Sequence, residues 1–237
     1  MSARRRVLSR RSLFLAVLLV AVAASVTVGR AGAEGAGPNC PNPNVIQGTP
    51  GDDVLVGTPG NDLIVGGTGN DSIDGRGGDD CVDGGAGDDL VQGGEGNDRV
   101  HGGPGNDIID GGFFGCCDAG GIDEVYGGPG DDIVFAADFG IQLLQGGPGD
   151  DSVQGFGGVD TAYGGEGDDV VTGFTQDDYL DGGQGNDRIG SPAEAGDDVI
   201  EGDAQDDVID GGPGTDVIDG GAGTDVCVNG EAVERCP

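Results

Sequence analysis

The chain has 237 residues, of which 55 are Gly, and its 44 acidic and 10 basic residues give a formal net charge of −34. So much Gly disfavours helices, and a chain with no Trp and 4% aromatic residues cannot fill an ordinary globular core. The charge excludes a nucleic-acid-binding protein, because phosphate contacts need Lys and Arg. Two possibilities remain: a disordered chain, or a repeat fold that requires many cations.

Residues 1–33 have the pattern of an export signal. Five Arg residues precede an apolar stretch of 16 residues from Leu13 to Val28, and Ala31-Gly32-Ala33 supplies a cleavage site of small residues. The stretch is shorter than the roughly 20 residues that a membrane-spanning helix needs, which favours a cleaved signal over an anchor. We therefore expect a secreted or cell-surface protein. The pair Arg10-Arg11 leaves open whether export follows the Sec or the twin-arginine route.

A nine-residue repeat runs from residue 48 to residue 228. Gly66–Asp74 and Gly102–Asp110 show its pattern, G-G-x-G-x-D-x-U-x, in which U is an apolar residue. Nineteen units follow one another, and three insertions separate some of them: Gly111–Cys117, Ala136 and Ser191-Pro192. This regularity favours a repeat fold over a disordered acidic tail.

Each unit predicts a tight turn followed by a short strand. Gly at positions one, two and four permits the close backbone approach that a tight turn needs, and positions seven to nine are rich in Val, Ile and Leu. In a strand, position eight faces away from positions seven and nine. Position eight is apolar in all nineteen units, counting Ala162 and Cys227. We therefore expect a thin core of one apolar side chain per unit, beginning with Leu55 and Ile64.

The pattern resembles the RTX (haemolysin-type) calcium-binding repeats over about three quarters of the chain. The resemblance implies an all-β fold, a right-handed parallel β-roll solenoid built from GGxGxDxUx nonapeptide repeats. It also implies that each unit is a calcium-binding turn followed by a short strand, and that units i and i+2 stack on the same edge. About nine coils at the strand spacing would make a rod about 45 Å long.

Stacked units would place the position-six Asp side chains in two columns, with neighbours about 5 Å apart. Carboxylates at that distance repel one another unless protons or cations neutralise them. Ca²⁺ suits carboxylate and carbonyl oxygen ligands, whereas zinc and copper favour His or Cys. We expect the calcium-free chain to be largely disordered, and calcium binding to drive its folding.

In the RTX family, the position-six Asp ligates calcium between turn i and turn i+2. Carried over by position, the expected metal ligands are Asp53, Asp62, Asp71, Asp80, Asp89, Asp98, Asp107, Asp123, Asp132, Asp151, Asp160, Asp169, Asp178, Asp187, Asp198, Asp207, Asp216 and Asp225. Gln142 replaces Asp in the remaining unit, and Gln176 and Gln205 replace Gly at position four. Nineteen units leave at most seventeen gaps, and we expect these exceptions and the insertions to reduce the number of calcium sites further.

Six Cys residues and an export signal indicate an oxidising compartment with disulfides. Cys227 and Cys236 both fall at position eight if the tail is interpreted as a twentieth, degenerate unit, which predicts a bridge that closes the end of the roll. Cys40 and Cys81 are a second candidate pair. The adjacent Cys116-Cys117 could form a vicinal bridge, pair elsewhere or crosslink a partner.

The chain divides into an export signal (1–33), an N-terminal entry or cap segment (34–47), the RTX β-roll (48–228) and a C-terminal cap (229–237). With a single His, no Lys and no Ser nucleophile motif, the sequence shows no catalytic constellation. We therefore expect that the protein is not an enzyme. All basic residues are Arg, and Ala and Gly are abundant, which indicates a bacterial gene of high GC content.

The expected function is calcium binding by an exported β-roll with a structural or surface-interaction role. The alternative is a non-catalytic accessory or adhesion module that works with a separate secreted enzyme or a cell-surface partner. Position seven is apolar in seven of ten odd-numbered units and five of nine even-numbered ones, which fits either an ordinary exposed sheet or a face for self-association. We expect calcium ions as partners, no nucleic acid, and no stable membrane insertion after signal cleavage.

Overall fold

The structure, a computed structural model, describes residues 27–29, 43–112, 121–136, 140–190 and 196–236. Most of the predicted export signal and of the predicted entry segment lies outside these residues. The same holds for three of the six cysteines: Cys40, Cys116 and Cys117. The pairings considered for them stay predictions.

The described residues form twenty-two β-strands, and no helix among them is long and apolar enough to cross a membrane. Many strands span three residues, the x-U-x end of a unit, because the next turn begins directly after it. The strands are β1 (Thr27–Gly29), β2 (Asn44–Gln47), β3 (Val54–Val56), β4 (Asp62–Thr68), β5 (Ser72–Asp74), β6 (Cys81–Ala86), β7 (Leu90–Gly94), β8 (Arg99–His101), β9 (Ile108–Gly112), β10 (Glu124–Tyr126), β11 (Ile133–Phe135), β12 (Leu143–Pro148), β13 (Ser152–Gln154), β14 (Thr161–Glu166), β15 (Val170–Thr172), β16 (Tyr179–Gln184), β17 (Arg188–Gly190), β18 (Val199–Glu201), β19 (Val208–Asp210), β20 (Val217–Asp219), β21 (Val226–Val228) and β22 (Ala232–Glu234).

Successive strands alternate between two sheets. From β2 onward, the even-numbered strands form one sheet, here the even sheet, and the odd-numbered strands from β3 form the other, the odd sheet. Neighbouring strands are parallel and two units apart in sequence: Val82 pairs with Ile64 on one side and with Val100 on the other. Two units therefore complete one coil, and the predicted all-β parallel β-roll is confirmed.

The position-eight side chains form the core, as predicted. All of them except Cys227 are 3% exposed or less, and Ile46 extends their row at the beginning of the even sheet. Alternation directs the neighbouring positions outward, so that Ile108 is 38% exposed beside the fully buried Ile109. Full burial of one aliphatic side chain contributes about 1.5–3 kcal/mol. The stability of the roll is therefore a sum of small, similar contributions from each coil.

The parallel stacking begins before the first nonapeptide. Strand β2 (Asn44–Gln47) pairs in register with β4, so that Asn44 lies opposite Asp62 and Ile46 opposite Ile64. Part of the segment that we assign to the N-terminal cap is thus stacked like a repeat unit. Strand β1 pairs antiparallel with β2. Because β1 lies within the predicted export signal, cleavage after Ala33 would remove it.

The C-terminal segment closes the roll with a register different from the predicted one. Cys227 and Cys236 form the expected disulfide, with their Cα atoms 6.0 Å apart. However, Val233 rather than Cys236 lies opposite the position-eight residue Ile218. The interpretation of Cys236 as a position-eight residue was therefore wrong, because the last coil is three residues shorter than the others. Both half-cystines pack against the end of the core.

The turns lie along two edges of the roll, which are not equivalent. We call the turns of odd-numbered units the odd edge and those of even-numbered units the even edge. All three insertions precede even-numbered units, the eighth, tenth and sixteenth. None of the ten units of the odd edge is preceded by an insertion, whereas all three insertions precede units of the even edge.

Candidate metal centre

The position-six Asp residues lie at the end of each turn, directly before the strand, and their side chains point into the roll. All eighteen are 4% exposed or less. The repeat explains this placement, because position six has the same orientation as position eight in a strand and therefore faces the interior. The structure thus brings together the predicted residues in two buried columns, one on each edge.

In sixteen of the eighteen column residues, all except Asp53 and Asp62 at the beginning of the columns, one carboxylate oxygen accepts a hydrogen bond from the backbone of the preceding coil. The N–H of Asp53 donates to Oδ1 of Asp71 at 2.8 Å, and the N–H of Asp71 donates to Oδ1 of Asp89 at 2.7 Å. The same bond recurs along both edges, for example from Asp178 to Asp198. These bonds connect successive turns by side chains, in addition to the hydrogen bonds between strands.

The second carboxylate oxygen has a different environment. In twelve of the described column residues, Oδ2 is buried and has no hydrogen-bond donor within reach. These residues are Asp71, Asp80, Asp89, Asp107, Asp132, Asp151, Asp169, Asp178, Asp187, Asp207, Asp216 and Asp225. A buried carboxylate oxygen without a partner carries a desolvation cost of several kcal/mol. Each of these atoms therefore needs a proton or a cation.

Backbone carbonyl oxygens border the same spaces as these carboxylates. A Cβ atom built on Gly66 would lie 2.4 Å from Oδ2 of Asp71 and 2.2 Å from the carbonyl oxygen of Gly84 in the next coil. Only Gly leaves this space free, and both atoms that border it are hydrogen-bond acceptors. A carboxylate oxygen and a carbonyl oxygen are the kinds of ligand that a hard cation such as Ca²⁺ prefers.

Burial raises the pKa of most column residues above the ordinary Asp value. Loss of solvent is the largest cause, backbone hydrogen bonds oppose it, and neighbouring carboxylates add to it. The pKa is raised to about 8 for Asp80. It is raised to about 7 for Asp132, Asp169, Asp178 and Asp207, and to about 6 for Asp89, Asp107, Asp151, Asp187 and Asp198. Ionised columns are thus unfavourable near neutral pH unless a positive charge compensates them.

The carboxylates alone do not make a metal site. Across the described ranges, no group of three or more His, Cys, Asp or Glu side chains converges on one point. The arrangement differs in this respect from a zinc centre, whose ligands are side chains. The available ligand set combines a carboxylate with backbone carbonyl groups, as calcium sites often do.

A second side-chain ladder, which the repeat pattern did not predict, lies on the outside of both edges. The position-five residue accepts a hydrogen bond from the backbone of the following coil: the N–H of Asn70 donates to Oδ1 of Asp52 at 2.9 Å, and that of Asp88 to Oδ1 of Asn70 at 3.1 Å. This direction is opposite to that of the position-six bonds. The composition of position five could have indicated this ladder, because the residue there is Asp or Asn in fourteen of nineteen units.

The even-edge column also has a terminal residue that the repeat pattern did not predict. The N–H of Asp216 donates to Oε2 of Glu231 at 2.8 Å, so Glu231 takes the role that the next position-six Asp would have. The shortened last coil explains why counting in nines did not find it. At the other end, Asn44 donates from Nδ2 to Oδ1 of Asp62 at 2.9 Å.

The family model described as RTX calcium-binding nonapeptide repeat (4 copies) matches residues 43–68, 56–91, 83–114, 119–140, 137–171, 154–189 and 193–227. These matches cover more than half of the chain and coincide with the stacked coils. No match was found among curated proteins. The parallel β-roll and the buried Asp columns agree with this match. The chain belongs to the family of RTX calcium-binding nonapeptide repeat proteins.

Proposed function

We propose that the protein is an exported β-roll that binds several Ca²⁺ ions along its two Asp columns, and that these ions stabilise the fold. The observation that carries the proposal is the set of twelve buried Oδ2 atoms without a hydrogen-bond partner. Bound calcium supplies the positive charge that these oxygens and the adjoining carbonyl oxygens require. The proposed ligands are the eighteen position-six Asp residues, each together with turn carbonyl groups.

Folding and calcium binding are coupled in this proposal. Without a cation, the folded chain buries many carboxylates whose ionised form is unfavourable, and its core contains only one aliphatic side chain per unit. An unfolded chain can hydrate the same carboxylates freely. Binding energy therefore contributes directly to folding energy.

Circular dichroism of the calcium-free protein, followed by addition of millimolar CaCl₂, tests this function. We expect a disordered spectrum that converts to a β spectrum with calcium, and a much smaller change with the same concentration of MgCl₂, because Mg²⁺ prefers a rigid octahedral shell with retained water. A spectrum that calcium leaves unchanged would contradict the proposal.

We further propose that the protein is secreted by means of the signal in residues 1–33. The proposal is supported by the basic and apolar pattern of that segment and by the disulfide between Cys227 and Cys236, which suits an oxidising compartment. Fractionation of the source cells tests it: we expect the mature chain outside the cytoplasm. Replacement of Arg10 and Arg11 by Lys separates the two export routes, because the twin-arginine route depends on that pair.

A role in surface contact, without catalysis, is the second candidate. It is favoured by the outward face of the odd sheet, where aliphatic side chains at position seven are 38–55% exposed: Val54, Ile108, Ile133, Val170, Val208 and Val226. Rows of exposed aliphatic residues are typical of contact surfaces. Capture of a surface component from cell-surface extract only in the presence of calcium would support this role, and light scattering would distinguish it from self-association.

A further inference from the structure

We infer that the first coil, residues 48–65, closes without a cation, because Thr49 and Thr58 supply hydrogen-bond donors to the carboxylate oxygens that a cation neutralises in later coils. The two columns of ions then begin with the second coil. The inference rests on the calcium-binding function proposed above, and it narrows the proposed ligand set by Asp53 and Asp62.

Both turns of the first coil have the sequence G-T-P-G, which occurs in no other unit. On the odd edge, Thr49 donates to Oδ2 of Asp53 from its backbone N–H and, at 2.9 Å, from its hydroxyl group. On the even edge, the N–H of Thr58 donates to Oδ2 of Asp62 at 2.6 Å, and the Thr58 hydroxyl group lies 3.1 Å from the same oxygen. Each Oδ2 thus has a backbone N–H and a hydroxyl group of Thr within hydrogen-bond distance.

The oxygens that Thr contacts are the ones that border the candidate cation spaces. A Cβ atom built on Gly48 would lie 2.8 Å from Oδ2 of Asp53 and 2.2 Å from the carbonyl oxygen of Gly66 in the second coil. The corresponding space beside Asp71 is bordered by the same two kinds of oxygen, but Oδ2 of Asp71 has no donor. The donors of Thr49 therefore reach the oxygen at which a cation is proposed in later coils.

Other turns of the chain show what Thr at position two changes. Residues 127–132 have the sequence G-G-P-G-D-D and differ from residues 48–53 only at position two. Residues 102–107 differ in the same way from residues 57–62. In both Gly-containing turns, Oδ2 of the position-six Asp is buried without a donor. The donors at Oδ2 thus accompany Thr in turns that are otherwise identical in sequence.

The Pro residue that follows Thr fixes this difference in the backbone. A residue before Pro is restricted to extended conformations, whereas Gly readily adopts a positive φ. Position two has a φ between 64° and 130° in the fourteen described units from the third unit onward, but neither Thr49 nor Thr58 has a positive φ. The N–H at position two is directed accordingly. In Gly103 it donates to the carbonyl oxygen of Gly127 in the next coil at 2.9 Å, and in the first coil it donates to the Asp of its own turn.

The outer oxygens of the first coil do not border the gap toward the second coil. Oδ1 of Asp62 accepts a hydrogen bond from Nδ2 of Asn44 at 2.9 Å, and Asn44 also donates to the Thr58 hydroxyl group at 3.2 Å. Oδ1 of Asp53 is buried without a donor. It corresponds to the oxygen that accepts the N–H of the preceding coil in later Asp residues. Only Oδ2 is therefore relevant to an ion between the first and second coils.

The consequence is that the columns of ions begin with Asp71 and Asp80. The gaps that follow Asp53 and Asp62 contain no ion. The first coil is still joined to the second, because the N–H groups of Asp53 and Asp62 donate to Oδ1 of Asp71 and Asp80, each at 2.8 Å. Ordinary hydrogen bonds thus end both columns, as a terminal repeat of a solenoid requires.

The isosteric double substitution Thr49→Val with Thr58→Val tests the inference, because Val keeps the restriction before Pro and removes the hydroxyl groups. Native mass spectrometry in saturating calcium should give the wild-type number of Ca²⁺ ions, while hydrogen exchange should become faster in β3 and β4. Thr49→Ser with Thr58→Ser should restore the wild-type exchange. The matched control is Thr172→Val on the outward face of β15, which should change neither quantity.

Two results of this experiment would overturn the inference. A loss of one or two ions in the Val variant would show that the Thr hydroxyl groups are calcium ligands. Unchanged hydrogen exchange in β3 and β4 would show that these hydroxyl groups do not hold the first coil closed.

A second variant reverses the difference between the first coil and the others. Thr49→Gly with Thr58→Gly gives both turns the sequence G-G-P-G, so that the mass spectrum should show one or two more Ca²⁺ ions than in the wild type. The control is Thr68→Gly, at the exposed position three of the third unit, which should leave the number unchanged. A folded Gly variant with the wild-type number of ions would contradict the inference.

The outcomes separate this inference from the proposed function. If the wild-type protein binds no calcium and its circular dichroism spectrum does not respond, the proposed function fails and the inference fails with it. If the wild-type protein binds calcium and either double variant gives a number of ions contrary to expectation, only the role of Thr49 and Thr58 is refuted.

Discussion

The backbone N–H of Asp53 donates a hydrogen bond to Oδ1 of Asp71, which lies one coil later, at 2.8 Å. The other carboxylate oxygen of Asp71 is buried without a hydrogen-bond partner. One side chain therefore has two separable roles: it holds the preceding turn in place through Oδ1, and it offers Oδ2 to a cation. The following substitutions distinguish these roles.

Replacement of Asp71 should reduce stability in two steps. Asp71→Asn keeps an oxygen acceptor for the N–H of Asp53 and loses the charge, so that calcium affinity falls while most of the fold is retained. Asp71→Ala also leaves the buried N–H of Asp53 unpaired, which lowers the free energy of unfolding by about 1–3 kcal/mol more. Urea unfolding in saturating calcium measures both effects. The control is Asp83→Ala, an exposed position-nine residue, and an equal loss in all three variants would contradict the two-role model.

The calcium-free protein should gain structure on acidification. Burial raises the pKa of Asp80 to about 8 and that of Asp132 to about 7, so the folded state binds protons more tightly than the unfolded state does. The free energy of unfolding is therefore highest below about pH 4 and decreases as pH rises through 6 to 8. Circular dichroism of calcium-free protein between pH 8 and pH 5 should show increasing β structure.

Acidification should have the opposite effect on calcium binding. Protons compete with Ca²⁺ for the same carboxylate oxygens, so the calcium concentration for half-maximal folding should increase from pH 7.5 to pH 6. A calcium titration at each pH, followed by circular dichroism, measures this shift. A half-maximal concentration that does not depend on pH would mean that the buried Asp residues are not the ligands.

The core of the roll can be tested with two neighbouring residues of the same type. Ile109 is fully buried, whereas Ile108 is 38% exposed. Ile109→Ala should lower the free energy of unfolding in calcium by about 2–5 kcal/mol, and Ile108→Ala should change it by about 0.5 kcal/mol or less. Denaturant unfolding of the two variants gives both values. Similar losses would show that the alternation of inward and outward side chains in β9 is wrong.

The disulfide between Cys227 and Cys236 should hold the last coil in place. The bridge closes a loop with a sequence separation of nine, for which the chain-entropy model gives a stabilisation of about 2–3 kcal/mol. In Cys227→Ser, hydrogen exchange should become faster in β20 and β22 and stay unchanged in β5 and β7. Uniformly faster exchange along the chain would indicate that the bridge stabilises the whole roll instead of its end.

Much of the fold could be predicted because every unit repeats the same local rules. Position eight is buried because it alternates with positions seven and nine, and Asp at position six is buried because it has the same parity as position eight. The register of the tail could not be predicted by counting, because pairing of Val233 with Ile218 depends on how the chain end covers the core. The outer ladder was missed because the consensus leaves position five unspecified, although Asp52 and Asn70 use it in regular bonds.

The direction of the position-six hydrogen bonds has a consequence for the order in which coils are completed. Position-six carboxylates reach back to the N–H groups of the coil before them, as Asp71 does to Asp53, so a coil is complete only after its successor has formed. In a polypeptide that emerges amino end first, folding would therefore trail emergence by one coil. Glu231, which accepts the N–H of Asp216, provides this completion for the turn of Asp216 on the even edge.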